Sequence, residues 1–160
     1  MKNKKILVVD DESDLRQISV EILTDITDNI FEAEDGLDAL KVYEKNKPFD
    51  CIICDINMPK MNGIEFIKAI REKNDETPFI FFTAFGNRKL MLEAVTYGAF
   101  DFIDKPKYTN LIDVAKSALN LNPKEEKLSE EELLTEYQTL LAGKSDWYQT
   151  ADLLTIYDLL

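Results

Sequence analysis

The 160 residues carry 19 lysines and arginines against 31 aspartates and glutamates, a formal net charge of −12, with no histidine and two cysteines. That inventory excludes imidazole catalysis and histidine-containing zinc sites, and an acidic surface argues against nucleic acid as a partner. With 45% hydrophobic and 31% charged residues, and no apolar run near the ~18 residues of a membrane span, the composition is that of one globular domain, or one domain with an appendage.

The basic start, Met1–Lys5, leads only into Ile6–Val9, too short for the apolar core of a secretory signal, so the expected location is the cytoplasm, with no membrane partner. Short β-rich runs recur at Lys5–Val9, Asn29–Ala33, Cys51–Cys54, Phe79–Phe82 and Phe100–Ile103. Between them, apolar residues fall at helical spacing: Leu15, Ile18, Ile22 and Ile26; Leu37, Leu40 and Tyr43; Ile64, Ile67 and Ile70; Leu90, Ala94 and Tyr97; Leu111, Val114, Ala115 and Leu119. Ser13 and Gly36 mark helix starts, Asn62-Gly63 a turn, and Gly98 a helix end. Five alternations predict an α/β fold, a doubly wound (βα)5 unit over residues 1–122 with a five-stranded parallel sheet. The first, third and fourth runs are apolar at successive positions, as strands covered on both faces must be. The second and fifth alternate more and are the edge candidates.

Residues 123–128 are polar and open on Pro123, a linker signature. Ser129–Glu132 then matches a capping box, flanked by Leu128 and Leu133 as a hydrophobic staple. Leu133, Leu134, Tyr137, Leu140 and Leu141 form one apolar face ended by Gly143, and a second helix is expected from about Ser145 to the end, with Trp147, Ala151 and Leu154 and the set Leu153, Ile156 and Leu160. Residues 129–160 therefore read as an αα-hairpin, too short to hold itself together, so its apolar faces need the main domain, a second copy or a partner to dock on. Three lysines against nine acids give residues 123–160 a net charge of −6.

In an open parallel sheet, ligands bind beyond the carboxyl ends of the strands, where strand order reverses. Asp10, Asp11 and Glu12 follow the first run, Asp55 ends the third, Thr83 ends the fourth, and Lys105-Pro106 lies just past the fifth. Parallel strands would bring them to one rim. Carboxylates crowded there repel unless a hard cation neutralises them, and an oxygen-only ligand set suits Mg²⁺. A lysine and a threonine hydroxyl facing the same point complete a phosphoryl site.

Val8-Val9-Asp10-Asp11-Glu12, Cys54-Asp55-Ile56-Asn57-Met58-Pro59-Lys60-Met61-Asn62-Gly63, Phe82-Thr83-Ala84 and the stretch from Gly98 to Lys105-Pro106 together resemble the receiver domain of two-component response regulators, a flavodoxin-like fold. The resemblance spans about residues 1–122. It implies that Asp55 accepts a phosphoryl group from the phosphohistidine of a histidine kinase or histidine phosphotransfer protein. It further implies that Asp10, Asp11, Asp55 and the carbonyl of Asn57 hold Mg²⁺, that Thr83 and Lys105 contact phosphoryl oxygens, and that the Lys105–Pro106 bond is cis. Thr83 and Phe102 would form the switch, with Phe102 where the family more often has tyrosine. Such a chain is no turnover enzyme, since it catalyses only its own phosphotransfer and dephosphorylation. Its output would be a downstream protein partner or a homodimer through the C-terminal helices. The alternative is a relay or sink receiver whose tail is only structural, and truncation after Asn122 separates the two.

Two further motifs are set aside. Cys51 and Cys54 lie three apart on a strand, pointing to opposite faces, so they read as buried small hydrophobes and not as a redox pair. Asp55-Ile56-Asn57 resembles the nucleophile loop of haloacid-dehalogenase-like phosphatases, but it follows the third strand and Asn57 cannot transfer protons.

Overall fold

The three inner strands are buried along their whole length, and the sheet is covered on both sides accordingly. The computed structural model describes residues 3–84, 87–120, 131, 134 and 135. Among them are β1 (Ile6–Val9), β2 (Ile30–Ala33), β3 (Cys51–Cys54), β4 (Phe79–Thr83) and β5 (Asp101–Asp104), all parallel, in the order β2-β1-β3-β4-β5. The edge strands are the two that alternate most. Helices α1 (Ser13–Leu23), α2 (Gly36–Asn46), α3 (Gly63–Glu72), α4 (Arg88–Thr96) and α5 (Tyr108–Asn120) connect or follow them. No helix among the described residues is long and apolar enough to cross a membrane.

The period of two along each strand divides the core. Leu7, Val9, Ile52, Cys54, Phe79, Phe81 and Phe102 face α2, α3 and α4. Ile6, Val8, Cys51, Ile53, Ile80, Phe82 and Ile103 face the other side, which α1 and α5 cover. Each fully buried aromatic or branched side chain contributes about 1.5–3 kcal/mol. Cys51 and Cys54 are buried on opposite faces, and burial pushes both thiols well up, so they stay neutral. The linker at 123–128 and most of the 129–160 hairpin lie outside the described residues. Of the latter, Leu134 is buried within the apolar cluster of the α2–α4 face.

The helices depart from their expected faces in two places. Ile18 and Leu37 are 40% and 43% exposed; the buried positions are instead Ser19 and Leu23 on α1, and on α2 Gly36 and Ala39 beside the expected Tyr43. Close approach is the reason on α2: a Cβ on Gly36 would lie 2.4 Å from the Met61 carbonyl, which its N–H contacts at 2.9 Å, so small residues face inward. Glu12, not Ser13, is the N-cap of α1, with no side-chain cap. Asn62-Gly63 is a helix start, where Asn62 and Glu65 form a reciprocal capping box. Gly98, at φ +74°, ends α4 in a Schellman motif: its N–H reaches Val95 O at 2.9 Å, and Ala99 N–H reaches Ala94 O at 3.1 Å.

A polar network ties the ends of α2, α3 and α4 together near the start of β4. The Tyr43 hydroxyl and Thr77 Oγ1 donate to Asp75, while Arg71 donates to the carbonyls of Asp75 at 2.9 Å and Tyr97 at 2.8 Å. Burial pushes the Asp75 carboxyl up, but the donors from Thr77 and Tyr43 outweigh it and hold the group below its ordinary value. A carboxyl depressed in the folded state stabilises above its unfolded pKa, about 3.9, and loses that contribution as pH falls through its folded value. Asp75→Asn should therefore lower stability by about 1–3 kcal/mol at pH 7. The gap should close below about pH 4, as read by urea melts at both pH values.

Candidate phosphoryl and metal site

The ladder hydrogen bonds run one residue past β1 and β3 and so fix the first two site residues. Asp10 N–H donates to Ala33 O at 3.1 Å and Asp55 N–H to Val9 O at 3.0 Å. Because β1 and β3 are neighbours at the point where strand order reverses, Asp10 and Asp55 emerge side by side. One carboxylate oxygen from each of Asp10, Asp11, Glu12 and Asp55 can be chosen so that all four lie within 4.8 Å of one another.

Lys105 reaches this group from the far side of the sheet. Its backbone N–H donates to Thr83 O at 2.9 Å, which sets it just past the paired Thr83 and Asp104. Its Nζ donates to Asp10 Oδ2 at 2.7 Å and Asp55 Oδ2 at 2.9 Å, with all three side chains 8% exposed or less. Burial pushes the ammonium down, and its hydrogen bond to Asp10 and the charge of Asp55 more than reverse that, so it stays protonated well above neutrality. The Lys105–Pro106 peptide is cis, as is Lys47–Pro48.

One ammonium does not balance four carboxylates. Burial lifts the Asp11 carboxyl above its ordinary value, and the charges of Asp55 and Asp10 add to the effect. Unit charges at such separations repel by about 3 kcal/mol at the effective dielectric of a partly buried site. An oxygen-only cluster with surplus negative charge fits a hard divalent cation, and Mg²⁺ in particular. Asn57 lies exposed on the loop two residues beyond Asp55. Thr83 is buried at the end of β4, on the same sheet face as Phe81 by alternation. Phe102 pairs with Phe81 across β4 and β5, their ring centroids 5.4 Å apart, so Thr83 and Phe102 are diagonal neighbours on one face. All the residues expected at the site thus gather at the carboxyl ends of the strands, except Phe102, which sits one layer below.

Three supporting residues lie outside the set expected at the site. Arg16 on α1 donates from Nη1 to Asp10 O at 2.7 Å and from Nε to Glu32 at 3.0 Å, holding the acidic loop where α1 lacks a side-chain cap. Tyr108 packs its ring against Phe82 at 5.2 Å, beside Lys105; its buried hydroxyl has no hydrogen-bond partner among the described residues. Gly63 donates to Ile56 O at 2.8 Å, and a Cβ there would lie 2.2 Å from Asp55 O and 2.9 Å from the Phe81 ring. Gly63→Ala should therefore displace the Asp55 loop and destabilise the fold by about 1–3 kcal/mol, measured by thermal melts. The same variant should lower Mg²⁺ affinity in a calorimetric titration.

The family model "Response regulator receiver domain" matches residues 6–116. The chain is 42% identical over 108 residues to the chemotaxis protein CheY-3 of Vibrio cholerae, spanning 66% of this chain and 82% of that one. It is 38% identical over 105 residues to a chemotaxis protein CheY homologue of Campylobacter jejuni, spanning 64% of this chain and 81% of the other. Among solved structures, CheY4 of V. cholerae matches with TM-score 0.66 at 34% identity, covering 72% of this chain and 98% of that one. The receiver domain of NtrX from Brucella abortus matches with TM-score 0.66 at 33% identity, covering 74% and 100%.

Proposed function

This chain belongs to the response-regulator receiver family, and on that premise we propose that Asp55 accepts a phosphoryl group from a phosphohistidine and that the aspartyl phosphate switches a protein contact. One observation carries the reading: Lys105 Nζ bridges Asp10 and Asp55 at 2.7 and 2.9 Å inside a cluster of four carboxylates. The 160 residues contain no histidine, so the donor imidazole lies outside them, on a histidine kinase or histidine phosphotransfer protein. The protein would act in the cytoplasm beside that donor.

Asp10, Asp11, Asp55 and the Asn57 carbonyl would hold Mg²⁺, which when bound neutralises charge on the phosphoryl oxygens. An Asp55 carboxylate oxygen attacks phosphorus; the O–P bond forms as the P–N bond breaks, and the electron pair leaves with the imidazole. The Ile56 N–H, 2.7 Å from Asp55 Oδ1, and the Lys105 ammonium orient the carboxylate for that attack. Lys105 then transfers a donor from its carboxylate partners to a phosphoryl oxygen, and the Thr83 hydroxyl donates to another. As Thr83 is drawn toward the phosphoryl group, its diagonal neighbour Phe102 turns into the space beside it. Phe102 has no hydroxyl, so this switch works by packing alone. The acidic surface favours protein over DNA as the output partner.

Phosphoramidate, whose P–N bond mimics phosphohistidine, tests the reading. With Mg²⁺ the intact chain should gain one phosphoryl mass, and a chelator should abolish the gain. Uptake that is indifferent to the chelator would contradict the metal assignment.

A further inference from the structure

Helix α5 covers one face of the sheet together with α1, yet Leu134, beyond the end of α5 at Asn120, is buried in the apolar cluster of the opposite face. At 3% exposure it belongs to the cluster that contains Met91 and Val95 of α4 and Phe102 of β5. Its described neighbours behave as the outer side of a docked helical turn. Glu131 and Thr135 are helical and exposed, and Thr135 Oγ1 donates to Glu131 O at 3.0 Å. The sequence around Leu134 is acidic, with Glu130, Glu131, Glu132 and Glu136, whereas α4 opens on the exposed Arg88 and Lys89. The family match ends at residue 116, so this element is an addition to the receiver unit.

We propose that the helical turn of Glu131, Leu134 and Thr135 is an internal ligand of the α4 side of the sheet: Leu134 anchors it in the cluster that holds Phe102, and its release uncovers an apolar docking surface. The trigger rests on the phosphoacceptor reading. Phe102 belongs to the same apolar cluster as Leu134, so its turning toward Thr83 alters the packing of the cluster in which Leu134 is buried. Leu134 is held less well in one state than in the other, and that difference is what couples the tail to Asp55. Two copies of a leucine site would serve equally well in a dimer, but the occupant we assign is the chain's own segment, because Leu134 is buried within a single chain.

Hydrogen exchange read by mass spectrometry on the full chain tests both parts. In Leu134→Glu, amides of α4 should exchange about tenfold faster or more, while those of β1 and α1 keep the parent rate. Leu134→Ala should give a smaller change in the same place. Unchanged α4 exchange in both variants would overturn the docking, and so would α4 protection in the parent that is lost on dilution, since that would make a second copy the occupant. Beryllofluoride with Mg²⁺, an aspartyl-phosphate mimic, should move α4 exchange in the parent toward that of Leu134→Glu. Analogue bound, by its fluorine resonance, with α4 exchange unmoved would overturn the trigger. Failure of the analogue to bind would instead sink the phosphoacceptor reading, with the docking still decided by the Leu134 variants.

Discussion

Asp55→Asn should reduce phosphoryl uptake from phosphoramidate by roughly 10⁴-fold or more, the scale on which loss of a covalent nucleophile acts. The amide keeps the shape of the carboxylate, and its single oxygen can still accept from one of the two donors, Ile56 N–H or Lys105 Nζ, that now contact Oδ1 and Oδ2 at 2.7 and 2.9 Å. The fold should survive, and melting temperature serves as the control. What disappears is the charged oxygen that forms the O–P bond. If the variant took up acid-labile phosphoryl at the parent rate, the acceptor would lie elsewhere in the cluster, with Asp10 and Asp11 as the next carboxylates to substitute.

Lys105→Ala should have the largest effect on stability among the site residues. Asp10 and Asp55 are 4% and 6% exposed, and Lys105 is the cation that bridges them. Removing it leaves two buried carboxylates facing each other, which costs about 3–5 kcal/mol when a buried pair loses one partner. The loss should be greatest without divalent cation, and Mg²⁺ should raise the melting temperature of the variant more than that of the parent, because a cation can replace the missing charge. The pH dependence has a definite sign. An ammonium whose pKa is raised in the folded state contributes fully below its unfolded value, near 10.4, and loses that contribution only as pH rises through the folded value. The parent should therefore hold this pair throughout the neutral range and lose it only in strong alkali. In phosphotransfer, the variant should keep some labelling, since Asp55 is intact, yet fail to pass the change on to Thr83 and Phe102. Denaturant melts with and without Mg²⁺, paired with a labelling time course, separate the two roles.

The inner strands were legible because burial on both faces leaves an unmistakable run of apolar residues, and alternation marks the two edge strands, whereas the order of the inner three is set by long-range pairing. Their ends slipped by a residue where backbone pairing continues past the strand: Phe100 precedes β5, yet its N–H still donates to Phe79 O at 2.7 Å. The inward faces of α1 and α2 were less legible. Leucine and isoleucine at helical spacing suggest the buried stripe, but a helix that must approach closely turns Gly36, Ala39 and Ser19 inward and leaves Leu37 and Ile18 outside. Asp10, Asp11, Asp55, Thr83 and Lys105 could be picked out because they sit at the ends of four different strands, so topology alone unites them. Arg16, Gly63 and Tyr108 could not, since an arginine on a helix, a glycine after asparagine and a tyrosine after a turn are commonplace until distances are known. The capping signals around Ser129 were clear in sequence, but which face of the sheet receives Leu134 depends on long-range packing that no local pattern encodes.

The most direct test is to find the phosphoryl group itself. Borohydride converts an acyl phosphate to an alcohol, so treating the phosphoramidate-labelled protein with it and sequencing the peptides by mass spectrometry marks the acceptor residue. Homoserine is expected at position 55 and at no other acidic residue, and only where Mg²⁺ was present during labelling. Reduction at Asp10 or Asp11, or a phosphoryl group that borohydride leaves untouched as an ester on Thr83, would contradict it.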